Sequence, residues 1–316
     1  MASQNPIARA LSQRPYLILD GALATELERR GADLNDPLWS SKVLLEQPEL
    51  IRQVHYDYFV AGADVATTAS YQAHAAGFAR RGISAERVPQ LLAQTVQLAQ
   101  AARDDYLQQA PPSTPRPLVA ASVGPYGAAL ADGSEYRGNY ALTDQQLEAF
   151  HRPRVAALLA AGPDLLACET LPSLREALVL ARLLREFPHG CAWISFSCQD
   201  GSRSCEGQDV AECARSLDSF PQVVAIGVNC TSPEHVPALL GRMRGHTAKP
   251  LLAYPNSGER YDATAKHWHV DAERQVTPFA AQVCAWYAAG ARLLGGCCRT
   301  TPADIGALRG RLAACA

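Results

Sequence analysis

Three cysteines in the second half of the chain stand where loops leave strand-like runs: Cys230 in the string GVNCTSP, and the adjacent pair Cys297 and Cys298 in GGCCRTTP. A thiolate is a soft metal ligand and a nucleophile, so thiols gathered at strand ends point to metal or sulfur chemistry. Three sulfurs suit a tetrahedral ion, zinc above all, with Zn–S near ~2.3 Å. A set of three leaves a position open for water or substrate, where a closed structural site would use four. Adjacent residues of a regular strand face opposite sides, so Cys297 and Cys298 reach one point only if the backbone leaves strand geometry. Gly295 and Gly296, just before them, are expected to supply that freedom. The competing reading of each is a buried thiol acting as a small hydrophobe.

The other seven cysteines divide by position. Cys191 falls at a strand start, and Cys213, Cys284 and Cys315 fall in expected helices, where packing or surface roles are expected. Cys205 lies in a loop and stays open. Cys168 and Cys198 lie near strand ends, and spacing alone does not exclude them from the site. The N-terminal arginines meet Asp20 and Glu26 before any sizeable apolar run, so no secretory leader is read. A reducing, cytoplasmic setting without a disulfide framework is expected.

The elements that must position these thiols follow from pattern. A chain of 316 residues with 48% hydrophobic and 19% charged content can bury a large core and is too apolar for disorder. Its formal charge of -2 offers no basic field for nucleic acid. The longest stretch without Asp, Glu, Lys or Arg, from Gln275 to Ala291, contains Pro278 and Gly290 and is no membrane span.

Eight short β-branched and aliphatic runs recur, at 16–19, 64–70, 118–123, 164–168, 192–197, 223–229, 251–254 and 292–295, each followed by a helical pattern. Thr143 with Gln146 and Ser173 with Glu176 fit capping boxes, and Ser232-Pro233 and Thr301-Pro302 fit helix starts. Pro153 should kink the helix expected over 143–160. This alternation predicts one (β/α)8 TIM barrel, an α/β fold forming a single domain over 1–316. A doubly wound sheet would want a glycine-rich fingerprint after the first strand, which Asp20-Gly21-Ala22-Leu23-Ala24 is not. In such a barrel the chemistry sits at the C-terminal strand ends. Cys230 then closes the sixth strand, and Cys297 and Cys298 close the eighth, one strand away.

The strings LILDGALATEL, TTASYQA, ASVGPYG, DLLACETLP, GVNC, YPNSGE and GGCCRTTP, spread over essentially the whole chain, resemble the homocysteine S-methyltransferase family, most of all its S-methylmethionine-using bacterial members. The resemblance implies methionine synthesis by methyl transfer to homocysteine in a zinc barrel with one ion per chain. Cys230, Cys297 and Cys298 would hold the metal, and the homocysteine sulfur would take the fourth position. Asp20 and Glu169 would meet the substrate ammonium, with Gly21 letting backbone approach its carboxylate. Their bland alternatives are an Asp-Gly turn and a helix cap.

A sulfonium donor wants aromatic faces. Trp39 and Tyr71 match family positions on the donor side, and Tyr126 and Trp268 also follow strands. The partners implied are homocysteine and S-methylmethionine or S-adenosylmethionine, with neither nucleic acid nor membrane. The betaine-using branch carries an aromatic after the glutamate where this chain has Thr170, and a betaine-type enzyme is the alternative within the class. Outside it stand a zinc-storing or redox thiol protein, and a metal-dependent hydrolase, for which His267 and His269, read as loop residues, have no partner pair.

Overall fold

Apolar residues on both faces of each run require burial on both sides, and a closed parallel barrel provides it. The computed structural model describes residues 5–34, 40–262, 267–269 and 277–315. Its strands are β1 Leu17–Ile18, β2 Val65–Thr67, β3 Leu118–Val123, β4 Leu165–Leu171, β5 Ala192–Phe196, β6 Val223–Asn229, β7 Leu251–Tyr254, β8 Arg260–Asp262, β9 His267–His269 and β10 Ala291–Leu294. Eight of them pair in parallel in the order β1-β10-β7-β6-β5-β4-β3-β2. The bridge Leu19↔Val65 closes the remaining seam, with the Asp20 N–H donating to the Val65 carbonyl at 3.0 Å. Every expected run overlaps one of these strands, β4 running three residues past its expected end and β10 starting one residue early, and β7 lies between β6 and β10 as the eight-fold order requires.

Alternate strand residues separate two cores. Leu17, Leu19, Val65, Ala120, Ala167 and Trp193 cluster inside with Cys191 and with Ile7 and Ala10 of the helix Pro6–Leu11. Ile18, Val119, Leu166, Cys168, Ile194 and Ile226 pack instead with the surrounding helices. Among the described residues no helix is long and apolar enough to cross a membrane.

The helix starts depart from pattern in places. Thr143 makes the full capping box, and Thr301 makes one with Asp304. Ser173 caps Glu176, but Glu176 does not reciprocate: its carboxylate is buried and binds the Tyr126 N–H at 2.7 Å and His151 Nε2 at 2.8 Å. Ser232 makes no cap bond; its hydroxyl turns to Glu234. The helix Asp144–Ala160 continues through Pro153.

Two further expectations are corrected. Cys284 and Cys315 form a disulfide, because the helices Val283–Ala288 and Pro302–Leu312 pack together and bring the two Cα atoms to 5.9 Å. The remaining eight cysteines are free. His267, Trp268 and His269 are not loop residues: their backbone is β9, paired antiparallel with β8. Trp39 lies outside the described residues.

His55, on the helix Pro48–Ala61, is fully buried and neither ring nitrogen has a partner. Burial pushes its pKa down to about 4. Between its unfolded value near ~6.5 and that folded value, the unfolded chain binds a proton that the native state refuses. Stability is therefore complete above pH ~6.5 and falls as pH drops toward 4, by up to about 3 kcal/mol. His55→Leu should show a visibly smaller loss of unfolding free energy between pH 7 and pH 4.5 in denaturant titrations. Equal losses in variant and parent would exclude His55 as a source of acid sensitivity.

Candidate functional site

Strand β6 stops at Asn229, and Cys230 follows with φ of +50°, its N–H donating to the Tyr254 carbonyl at 3.3 Å. Strand β10 stops at Leu294, and the next loop is clamped by its neighbours. The Cys297 N–H donates to the Pro255 carbonyl at 2.8 Å, and the Ser257 N–H donates to the Cys298 carbonyl at 3.0 Å. A turn closes behind them, with the Thr300 N–H on the Cys297 carbonyl at 3.1 Å. Gly295 and Gly296 serve this turn differently from expectation. Neither adopts positive φ. A Cβ would lie 2.6 Å from Leu19 Cβ at the first and 2.3 Å from Thr300 Oγ1 at the second, so the glycines permit close approach rather than unusual torsions.

The three sulfurs converge as expected. Cys230 and Cys298 Sγ are 3.4 Å apart, Cys297 and Cys298 Sγ 4.0 Å, and all three lie within 4.8 Å of one another. Tetrahedral bonds of ~2.3 Å to one ion would separate sulfurs by roughly 3.8 Å, so the donor set fits zinc; a disulfide would need about 2.05 Å. No other metal-binding cluster of this kind occurs among the described residues, and no fourth His, Cys, Asp or Glu joins this one.

Thiols this close cannot all ionise independently. Hydrogen bonds from Cys297 and Cys298, aided by Tyr136 Oη at 3.1 Å, hold the Cys230 thiol well below its ordinary range against the cost of burial. The same contacts with Cys230, together with burial, push Cys297 and Cys298 up. A bound cation would draw off the remaining protons. Cys168 and Cys198 stay outside the cluster. Burial pushes Cys168 up to about 12 and Cys198 well above the thiol range. Cys205 is likewise outside, pushed up to about 11 by burial.

The predicted carboxylates line the same mouth, each engaged with the barrel. Asp20 accepts from the Thr67 N–H at 2.7 Å and from Thr67 Oγ1 at 3.0 Å, which also ties the β1–β2 seam. Burial, with a smaller contribution from Glu169, raises its pKa to about 8. Glu169 is no helix cap: it accepts from the Ser122 hydroxyl and from Tyr254 Oη, the latter at 3.0 Å. Burial raises it to about 7. Gly21 has a packing reason, since a Cβ there would meet Thr300 Oγ1 at 2.8 Å and Tyr58 Oη at 2.9 Å.

Tyr71 lies across Gly124, where a Cβ would meet its ring at 2.7 Å, and its hydroxyl pairs with Thr170. Thr170 itself has φ of +59° and accepts from Asn229 Nδ2 at 2.8 Å. Tyr126 belongs to an aromatic cluster instead, edge-on to Tyr140 and Phe150.

Sequence reasoning missed Glu135 and Tyr136, which the loop after β3 delivers to the mouth. The only signal for them was that a loop leaving a barrel strand contributes to the site. Tyr254, within the string YPNSGE, has no role that the sequence alone reveals; it is the hub that receives Trp193 Nε1 at 3.0 Å and meets Ser195 Oγ at 2.7 Å.

Comparison with known proteins agrees with this geometry. Residues 17–312 match the family model described as homocysteine S-methyltransferase. Homocysteine S-methyltransferase YbgG of Bacillus subtilis is 52% identical over 303 residues, covering 95% of this chain and 96% of the relative. Homocysteine S-methyltransferase of Escherichia coli is 52% identical over 313 residues, covering 98% and 100%. The crystal structure of the metallated form of the homocysteine methyltransferase MmuM from Escherichia coli superposes with a TM-score of 0.88 at 50% identity, covering 97% of this chain and 99% of that one. With a family match across nearly its whole length and a thiol cluster at the mouth of the matching barrel, the chain belongs to the homocysteine S-methyltransferase family.

Proposed function

We propose that the protein transfers a methyl group from S-methylmethionine, or from S-adenosylmethionine, to the sulfur of homocysteine to give methionine, with one zinc ion per chain held by Cys230, Cys297 and Cys298. The meeting of those three sulfurs within 4.8 Å, at the strand ends of a barrel of this family, carries the reading. Bound zinc would supply the acidity that a free alkyl thiol, with an ordinary pKa near ~8.5, lacks at neutral pH.

The chain's own residues bind and align. Asp20 and Glu169 attract the homocysteine ammonium, and Gly21 offers backbone toward its carboxylate. Tyr71, with Trp39 as its expected companion, faces the donor cation, where a cation over an aromatic ring gains about 0.5 to 2 kcal/mol. A methyl group leaving a sulfonium releases a neutral thioether, so no general acid is required. What remains is holding sulfur, methyl and leaving group in line.

Wild-type protein should contain one zinc per chain, and Cys230→Ala or Cys298→Ala should lose metal and methyl transfer together while the far-UV circular dichroism of the barrel persists. Metal analysis beside an assay with each donor checks this, and metal-free variants with undiminished turnover would reject it.

The carboxyls give a second test. In the free enzyme Glu169 and Asp20 hold protons up to about pH 7 and about pH 8, and a protonated carboxyl does not attract an ammonium. The kcat/KM for homocysteine should therefore rise with pH across this window. Glu169→Gln should lower kcat/KM by roughly 10- to 100-fold, the loss of one or two charge-assisted contacts, and alter the rise. A pH profile unchanged by the substitution would remove Glu169 from substrate binding.

A further inference from the structure

One carboxylate at the mouth is left over once Asp20 and Glu169 are assigned to an ammonium. Glu135 sits in the turn Ser134–Tyr136, and its Oε2 is buried without any hydrogen-bond partner. Its backbone is pinned at both ends. The Ser197 hydroxyl donates to its carbonyl at 3.2 Å, and the approach of the loop to Gly127 is so close that a Cβ there would lie 2.5 Å from the Glu135 nitrogen. The next residue, Tyr136, places its hydroxyl 3.1 Å from Cys230 Sγ, so the turn abuts the thiol side of the mouth. Arg137 supplies no direct partner: it is 59% exposed and engages Ser134 Oγ at 3.0 Å and Asp132 at 3.7 Å.

The loop is costly to build. Within nine residues Ala131, Gly133, Gly138 and Asn139 all take left-handed torsions, which cost free energy at the two that are not glycine. A buried acidic oxygen left unpaired adds a further penalty, which a cation arriving from solution would offset. The electrostatics agree in direction: burial, and to a smaller degree the nearby Cys230, raise the Glu135 pKa to about 7 against a hydrogen bond from its own backbone N–H.

We infer that Glu135, beside Tyr71 and Tyr136, is the anionic contact for the positive sulfur of the methyl donor. This rests on the sulfonium-dependent reaction proposed above. The chemistry gives the contact a particular signature. The S–CH3 bond of the sulfonium breaks, its electron pair stays on the leaving sulfur, and a new S–CH3 bond forms to the thiolate. A cation and an anion thus become two neutral thioethers. A carboxylate facing the sulfonium is strongest in the bound donor, weaker in the transition state and without a partner in the product. Glu135 therefore sets donor affinity and selectivity for charge while doing nothing to raise kcat.

The test compares S-methylmethionine with its uncharged carbon isostere, 2-amino-5-methylhexanoate, which keeps the amino-acid end and replaces the positive sulfur by CH. In calorimetric titrations the wild-type zinc enzyme should prefer the sulfonium by about tenfold or more, the worth of one charge-assisted contact. Glu135→Gln should reduce that preference by about the same factor, leave affinity for the isostere unchanged, raise the donor KM in parallel and not lower kcat. Equal wild-type affinity for the two ligands would overturn the assignment without need of the variant. So would a variant in which the preference survives, or in which both ligands weaken equally, the last result placing Glu135 at the donor's amino-acid end. Because binding is read apart from turnover, a sulfonium preference that disappears in Glu135→Gln without any methyl transfer by the wild type would reject the proposed reaction and uphold this contact.

Discussion

Three thiols and three carboxyl groups crowd one end of a closed barrel, and the cost of ionising them where water is scarce, increased by their mutual repulsion, is the constraint that organises the site. Burial raises Asp20 to about 8 and Glu169 and Glu135 to about 7, while among the clustered thiols Cys230 is lowered by hydrogen bonds from Cys297 and Cys298, aided by Tyr136. Without cations such a set discharges itself by holding protons. A metal ion, an ammonium and a sulfonium would each relieve part of the repulsion, and these are the positive groups of the proposed reaction. The same concentration of negative charge would disfavour an anionic substrate.

Keeping repelling groups together requires a frame that does not yield. The loops after four strands are stitched by backbone hydrogen bonds: Cys230 to Tyr254, Asn256 to Thr231, Cys297 to Pro255, Ser257 to Cys298, and Gly296 to Asp20. Backbone pairing at this depth is costly to break because no water replaces it. The left-handed torsions of Cys230 and Thr170, each costing about 1–3 kcal/mol, persist because strands on either side fix them. The glycines at 295 and 296 belong to the same logic, since the loops approach too closely there to admit a side chain.

The parts of this arrangement that local pattern determines were legible from residues alone. All eight barrel strands were visible because burial on both faces makes each a short apolar run ended by a turn residue. The thiol trio followed once strand ends were identified. What tertiary contact decides was not legible. Glu176 has the spacing of a capping partner, yet it serves Tyr126 and His151 across the fold. Cys284 and Cys315 look like isolated helical cysteines until two C-terminal helices pack together. Glu135 sits in DGSEYRG, a string that reads as a polar surface turn, and only the packing on Gly127 and Ser197 turns it inward. Asp20 showed the opposite limit: its position was identified, but its tie to Thr67 gives it a structural duty that an Asp-Gly pair does not advertise.

The hydrogens around Tyr254 connect the carboxylate side of the site to the aromatic side. Glu169 meets Tyr254 Oη, Tyr254 meets Ser195 Oγ, and Ser195 meets Asn229 Oδ1, three contacts in series at 3.0, 2.7 and 2.8 Å. Trp193 Nε1 donates to Tyr254 from the side and adds no hydrogen to the series. The two hydroxyls supply two hydrogens, so with Glu169 ionised one of the three contacts brings oxygen to oxygen with nothing between. With Glu169 protonated all three are satisfied, which accords with a carboxyl that keeps its proton to about pH 7. An ammonium docking on Glu169, as proposed, would compensate for that lost proton and favour the ionised form. Tyr254 must then donate to Glu169, and Ser195 must choose between Tyr254 and Asn229. Asn229 in turn holds the Thr170 N–H at 2.7 Å and the Thr170 hydroxyl, and Thr170 pairs with Tyr71. In the proposed complex, occupation of the amino-acid side would thus change the hydrogen-bond demand on Thr170, the partner of the aromatic assigned to the donor, and Thr170 is the covalent neighbour of Glu169 through which the shortest link runs.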